Sequence, residues 1–152
     1  MLVDNEWTKG LTGVTFETPK LKEAKQLTTY PTLYLLKGKQ GKLRTNSGNV
    51  NSMPSIDITE QDIKVRYGDA EFYQTNNDGK TEHIIGVYLC NGKSYLYVDG
   101  KKVVDAAGVN YIQDLEQLII STDKKDGLEK FSAYSDVEFS EKQLCEMTTV
   151  SK

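Results

Sequence analysis

The chain of 152 residues is 38% hydrophobic and 27% charged, and its formal net charge is −3. A chain of this length can bury about 70% of its unfolded surface as one domain, and no apolar run approaches the roughly 18 residues of a membrane helix. The acidic balance disfavours attraction to a polyanion. We therefore expect one domain over 1–152, with 1–30 as an irregular N-terminal extension, no membrane insertion and no nucleic-acid partner.

The first half of the chain predicts few regular elements. We expect a short strand at 14–16, a helical turn at 21–27 and a strand at 32–36. Residues 37–55 are rich in Gly, Asn and Ser and predict a loop. This segment contains a basic cluster, which we interpret as solvated loop charge rather than as a site for an acidic glycan or phosphate: Lys37, Lys39, Lys42 and Arg44.

From residue 56 onward, short strand-like runs alternate with turn residues, which is the spacing of an all-β sandwich or barrel. The predicted strands are 63–67, 70–74, 82–90, 93–98, 101–105, 115–121 and 128–139. In the last strand, residues of one parity predict a core face: Phe131, Ala133, Ser135, Val137 and Phe139. Ser140 and Gln143 then have the spacing of a capping box. The short helix that follows would point Leu144 and Met147 inward.

The stretch YLCNGKSYLYVDGKKVVD contains two turn signals, Asn91-Gly92 and Asp99-Gly100, which predict a three-stranded meander. Pairing across these turns places Val103 opposite Leu96. The same pairing places six apolar residues on one face of the meander, which we expect to point into the core: Ile85, Val87, Leu89, Leu96, Val98 and Val103. The other face, which we call the tyrosine face, then consists of Tyr88, Tyr95, Tyr97, Lys102 and Val104. Gly86 lies opposite Tyr97 on that face.

Two interpretations of the tyrosine face stay open at this point. The rings pad a sheet that a loop or a neighbouring subunit covers, because cross-strand aromatic pairs stabilise sheets without any further purpose. Alternatively the rings form a binding platform, because a tyrosine offers a partner both an apolar ring and a hydroxyl. On the second interpretation the ligand-binding residues are Tyr88, Tyr95, Tyr97 and Lys102.

The second half of the chain resembles the concanavalin A-like, laminin-G-like jelly-roll family. The likeness rests on HIIGVYLCNGKSYLYVDGKKVV (83–104), LEQLIIST and FSAYSDVEFSEKQLCEM (131–147), and it is strongest over 83–147. It implies two antiparallel sheets packed face to face, of which one is often concave and binds glycans or proteins. We therefore expect an all-β, two-sheet antiparallel jelly-roll sandwich with a short C-terminal helix.

Catalytic signals are weak. Glycosidases of the laminarinase type share this fold and carry a strand-borne Glu-x-Asp-x-(x)-Glu motif, which the sequence lacks. Asp136 and Glu138 are the nearest acid pair, and paired acids on a solvated strand face are mostly solubilising. His83, the single histidine, has no Gly-x-Ser-x-Gly elbow beside it. We predict no catalytic residues and no enzyme activity.

Metal sites are weakly indicated too. Cys90 and Cys145 lack the spacing of zinc ligands, so we expect two buried or half-buried thiols. Calcium is the one candidate cofactor, because members of the resembled family often hold it with loop carboxylates and carbonyls. The weak candidate ligands are Asn76, Asn77, Asp78, Asp123 and Asp126, which we interpret mainly as turn formers.

The predicted function is a non-enzymatic module that recognises a glycan or a protein surface. The first residues, MLVDNEWTKG, contain no secretory signal, so we expect a bacteriophage fibre or decoration protein that is made in the cytoplasm, released by lysis and active in host adhesion. Its location would be the virion or an extracellular surface, and a fibre-borne module would be a trimer. Two alternatives are a structural protein whose tyrosine face is a subunit interface and an unusual glycoside hydrolase of the same fold.

Overall fold

The computed structural model describes residues 15–17, 32–45, 55–67, 70–90, 93–108, 118–122, 127–135 and 138–150. Within these segments there are eleven strands and one helix, and the helix is far too short to cross a membrane. In chain order the elements are β1 (Thr15–Glu17), β2 (Thr32–Gly38), β3 (Gly41–Thr45), β4 (Ser55–Ile58), β5 (Asp62–Tyr67), β6 (Ala70–Asn76), β7 (His83–Cys90), β8 (Lys93–Val98), β9 (Lys101–Gly108), β10 (Leu118–Ser121), β11 (Leu128–Ser135) and α1 (Glu141–Met147).

The strands form two antiparallel sheets. Sheet A has the strand order β1-β10-β3-β4-β5-β6, and sheet B has the order β11-β2-β7-β8-β9. Each sheet therefore combines strands from both halves of the sequence, with β10 between β1 and β3 in sheet A and β2 between β11 and β7 in sheet B, as the crossing connections of a jelly roll require. The predicted fold class, a two-sheet antiparallel jelly-roll sandwich with a short C-terminal helix, is confirmed.

One hydrophobic core lies between the two sheets. It follows from the alternation of side chains along each strand: in β4, Ile56 and Ile58 are buried whereas Ser55 and Asp57 are only half-buried. Sheet A contributes Leu43, Ile56, Ile58, Ile63 and Val65 to the core. Sheet B contributes Tyr34, Leu36, Ile85, Val87, Leu89, Leu96, Val98, Leu128 and Phe131.

The predicted meander is largely confirmed. Cys90 pairs with Lys93, as a two-residue connection requires, although Asn91 and Gly92 themselves lie outside the described residues. Asp99 has a positive φ of 52° and Gly100 one of 85°, which is the backbone of a tight hairpin turn.

The predicted register of β9 is wrong. Leu96 pairs with Val104 rather than with Val103, because the ladder shifts between Leu96 and Tyr97 and again between Ser94 and Leu96. These irregularities insert extra residues into β9, and both Val103 and Val104 pack partly buried against the core. Val104 therefore does not belong to the tyrosine face, and Tyr95 is not opposite it.

Two further expectations need correction. Lys42 and Arg44 lie in the strand β3, not in a loop, because Leu43 between them is fully buried in the core. The final strand ends at Ser135 rather than at 139, and Phe139 packs on the opposite side of sheet B from the core. The helical turn predicted at 21–27 lies outside the described residues.

Candidate functional site

On the tyrosine face, the predicted pairs between β7 and β8 and the pair between Tyr97 and Lys102 are confirmed. Tyr88 lies opposite Tyr95, with ring centroids 6.0 Å apart, and Tyr97 lies opposite Gly86 on one side and Lys102 on the other. Cross-strand aromatic pairs of this kind stabilise a sheet. The register alone therefore leaves both interpretations of this face open.

The helix α1 covers this face. Leu144 from α1 packs into a second hydrophobic cluster with Leu33, Tyr88 and Tyr97. Tyr88 is only 6% exposed and Tyr97 only 2% exposed, and burial raises the pKa of each phenol to about 12. The platform interpretation is therefore wrong for these two rings, which pad the sheet beneath α1. Tyr88 and Tyr97 are not available for a subunit interface either, because the helix that covers them belongs to the same chain.

The two remaining predicted site residues lie around the same helix. Tyr95 is half-buried and packs against the second cluster. Lys102 forms ion pairs with Glu141 at the start of α1 and, at 3.3 Å, with Asp105. The hydrogen bond with Glu141 raises the pKa of the Lys102 ammonium. Lys102 therefore holds α1 against sheet B in this structure.

The start and end of α1 are also fixed to the sheet. The predicted capping box is present: Ser140 Oγ accepts from the Gln143 amide at 3.1 Å, and the Gln143 side chain accepts from the Ser140 amide at 2.8 Å. Just before the cap, the Phe139 amide donates to the Tyr88 hydroxyl at 3.3 Å. Beyond the helix, Thr148 Oγ1 accepts from the Gly100 amide at 3.2 Å.

Of the calcium candidates, Asp78 and Asn77 form hydrogen bonds within the protein, and two others lie outside the described residues. The Asp78 carboxylate accepts from the amides of Lys80 and Thr81 at 2.8 Å, and these bonds lower its pKa to about 2. Asn76 ends β6 opposite Asp62. Asp123 and Asp126 lie outside the described residues, and within the described segments no group of three or more acidic, His or Cys side chains could hold a metal ion. Calcium binding stays untested.

His83 is engaged in a loop network. Its Nδ1 lies 2.6 Å from Asp99 Oδ2, and its Nε2 lies 2.7 Å from Asn77 Oδ1. The Asn77 amide group in turn donates to the Thr59 carbonyl at 2.6 Å. These contacts join three connections at one end of the sandwich, which is a structural role. Cys90 and Cys145, both half-buried thiols as predicted, pack beside the tyrosine cluster.

The outward side of sheet A carries a second set of residues, which the sequence reasoning did not assemble. Because Leu43, Ile56, Ile63 and Val65 point into the core, the residues that alternate with them point outward. We call this set the polar face. Its described side chains are Lys42, Arg44, Ser55, Asp57, Asp62, Lys64, Arg66, Gln74 and Asn76.

Strand pairing aligns the polar face in rows. Lys42 on β3 lies opposite Asp57 on β4, which lies opposite Lys64 on β5. Lys64 lies opposite Gln74 on β6, so one row crosses four strands, a width of roughly 14 Å. In the next row Ser55 lies opposite Arg66.

Hydrogen bonds hold much of the polar face in place. Arg44 Nη2 donates to Asp57 Oδ1 at 2.6 Å, and its Nη1 donates to the Leu43 and Ile56 carbonyls at 3.0 and 3.2 Å. Asp62 accepts from Gln74 Nε2 at 2.9 Å, and Lys64 Nζ lies 3.8 Å from the same carboxylate. The polar face is thus an ordered array of donors and acceptors rather than a set of separate solvated chains.

A carboxyl pair lies elsewhere, on the outer side of sheet B. Lys37 Nζ is 3.6 Å from Glu82 and 3.5 Å from Glu129. A hydrogen bond with the Glu129 side chain, together with burial, raises the pKa of Glu82. Lys37 lies between the two carboxylates, so the three side chains form a surface ion-pair cluster.

The comparisons with known proteins bear on the fold. No protein-family model matches the sequence, and no curated protein does. Among solved structures, a variant of human galectin-16 is similar, with a TM-score of 0.52 and 12% identity over 82% of this chain and 97% of the galectin chain. A Trypanosoma rangeli sialidase in covalent complex with 2,3-difluorosialic acid has a TM-score of 0.55 and 14% identity. That match covers 94% of this chain but only 27% of the sialidase.

These identities establish the fold and nothing finer. The similar structures place this chain among jelly rolls of the concanavalin A-like kind, which is the class that the sequence resembles. The chain spans about a quarter of the length of the sialidases that it matches, so their activity does not carry over to it.

Proposed function

We propose that this chain is a non-enzymatic carbohydrate-binding module whose ligand lies on the polar face of sheet A. The observation that carries the proposal is the row of cross-linked polar side chains over β3, β4, β5 and β6. Sugar hydroxyls both donate and accept hydrogen bonds. This row supplies a donor in Lys64 and an acceptor in Asp57, and Arg44 from the neighbouring row supplies further donors. Because Arg44 is already tied to Asp57 at 2.6 Å, less side-chain freedom is lost on binding.

The similar structures support the same class of ligand. One is named as a galectin, which is a lectin name, and another is a sialidase with a bound sialic acid derivative. Fold alone does not assign a function, so the proposal rests on the chemistry of the polar face. A binding role is favoured over hydrolysis because Asp57 is held by Arg44, and Asp62 by Gln74, in bonds that a catalytic acid would have to give up.

The setting is a separate part of the proposal. We propose that the chain works in a virion fibre or decoration protein that adheres to a host, at the virion or another extracellular surface. Flanking genes for tail or capsid proteins would support this setting. Flanking genes of an unrelated metabolic system would contradict it, without bearing on the polar face.

A glycan array tests the ligand assignment. Wild-type protein should bind at least one immobilised glycan, and Arg44→Ala should weaken that binding at least tenfold, because it removes a central donor. Lys101→Ala, an exposed cation at the β8–β9 turn, and Tyr95→Ala serve as matched controls and should bind like wild type. Thermal unfolding verifies that each variant is folded. The proposal would be contradicted if wild-type protein bound no glycan on the array, or if Arg44→Ala bound as strongly as wild type.

A further inference from the structure

Around Asp57 the polar face carries a local excess of positive charge, on a chain whose formal net charge is −3. Three cations, Lys42, Arg44 and Lys64, lie beside this one carboxylate. Arg66 lies in the next row, where strand register places Glu71 opposite it. A local field of this sign attracts anions and raises their association rate.

The two carboxylates of the polar face, Asp57 and Asp62, have more hydrogen-bond and ion-pair partners within the protein than Lys42 has. Asp57 lies between Lys42 and Lys64 in the cross-strand pairing and also accepts from Arg44, so three cations surround one carboxylate. Asp62 is bound by Gln74 and Thr59 in addition to Lys64. In the described part of the chain, Lys42 has no ion pair within 4 Å, and its side chain is exposed. The positive charge is thus only partly neutralised within the protein.

Arg44 has a geometry suited to an anion. Its contacts with Asp57 and with the Leu43 and Ile56 carbonyls involve three of the five N–H donors of a guanidinium. They also fix the plane of the guanidinium while its side chain stays 39% exposed. A planar, pre-oriented guanidinium is the side chain best matched to a carboxylate or sulfate.

From these observations we propose that the ligand of the polar face is an acidic saccharide, whose carboxylate or sulfate lies against Lys42, Arg44 and Lys64. This inference rests on the proposed function and narrows it from carbohydrates in general to anionic ones. The Asp57 Oδ2 atom and the Gln74 side-chain carbonyl oxygen, which the bonds to Arg44 and Asp62 do not use, can accept from the hydroxyls of neighbouring sugar units. Carboxylate and sulfate share the chemistry that these cations recognise, and the probes below distinguish them.

Titration calorimetry with three probes tests the inference: a heparin-derived hexasaccharide, a hyaluronan hexasaccharide and N-acetyllactosamine. The first carries sulfates and carboxylates, the second only carboxylates, and the third is neutral. At least one acidic probe should bind ten times or more tightly than the neutral one. That advantage should shrink steeply between 50 and about 300 mM salt, because surface ion pairs are screened. Binding of the hyaluronan probe would show that a carboxylate is sufficient, whereas binding of the heparin probe alone would show that a sulfate is required.

Variants locate the charge effect. The double variant Lys42→Ala with Lys64→Ala should lose at least tenfold in affinity for the acidic probe and little for a neutral one. The matched double control Lys101→Ala with Lys142→Ala removes two exposed cations from sheet B and α1, and it should bind like wild type.

The outcomes separate the inference from the function on which it rests. Equal affinity for neutral and acidic saccharides, with binding abolished by Arg44→Ala, would overturn the inference and leave the glycan-binding function standing. Binding of none of the three probes, together with an empty glycan array, would overturn both. Tighter binding to a single-stranded oligonucleotide than to either acidic saccharide would also overturn the inference, because the cations would then serve a nucleic acid.

Discussion

Gly86 shows how a single residue determines what the tyrosine face can do. A Cβ atom at this position would lie 2.8 Å from Cγ2 of Thr148 and 3.1 Å from Leu35. Any larger residue would therefore push the segment after α1 away from the sheet. The bare backbone of Gly86 lets Thr148 approach the sheet, and Leu144 on the preceding helix packs with Tyr88 and Tyr97.

We predict that Gly86→Ala lowers the free energy of unfolding by about 1–3 kcal/mol, because the added methyl group overpacks the contact with Thr148. Thr148→Ser removes the clashing methyl group and keeps the hydroxyl that accepts from the Gly100 amide. In the double variant most of the loss should therefore be recovered. Urea unfolding of wild type, the two single variants and the double variant measures this recovery. If the losses of the two single variants simply added in the double variant, the contact between residues 86 and 148 would be contradicted.

The helix α1 is the element that converts the tyrosine face from surface into core. It has seven residues, too few for a stable isolated helix, so its packing and its caps must hold it. Leu144 supplies the packing, the Ser140 capping box orders the first turn, and the ion pair between Lys102 and Glu141 ties that turn to β9. The phenols beneath it report directly on whether it stays in place.

Ionisation of Tyr88 and Tyr97 should follow α1. Each has a pKa raised to about 12, so the stability linked to each phenol is fully present below about pH 10 and is lost as the pH rises towards 12. Absorbance titration of the native protein should show late phenols that ionise near pH 12. Leu144→Ala should shift them towards pH 10 and cost about 2–5 kcal/mol of stability, whereas the exposed Lys142→Ala should do neither. If the pKa of these phenols stayed near 12 in Leu144→Ala, α1 would not be the element that covers them.

Much of this element structure could be predicted from the sequence. The turn signal at Asn91-Gly92 and the alternation on either side of it specify the register of β7 and β8, and Ser140 with Gln143 specifies the start of α1. The irregular register of β9 could not be predicted, because the extra residues are accommodated by packing Val103 and Val104 together against the core. Where α1 packs could not be predicted either, since nothing local connects Leu144 to Leu33, more than a hundred residues earlier.

At the level of the whole molecule, the two sheets have different tasks. Sheet B has both sides buried over much of its area, by the core and by α1. Sheet A buries one side and presents the polar face on the other. This arrangement could not be predicted from the sequence. Lys42 and Arg44 of β3 lie in a Gly-rich segment and resemble loop charge, and only the pairing of β3 with β4 places them beside Asp57.

We expect a saccharide to bind on the polar face and not on the tyrosine face. Amide chemical-shift mapping tests it most directly, with ¹⁵N-labelled protein titrated with a heparin-derived hexasaccharide and, separately, with N-acetyllactosamine. We expect the largest shift changes on β3, β4 and β5, around Lys42, Asp57 and Lys64, and no change at the amides of α1 and of Tyr95. Shift changes centred on α1 and β8, or none with either saccharide, would contradict it.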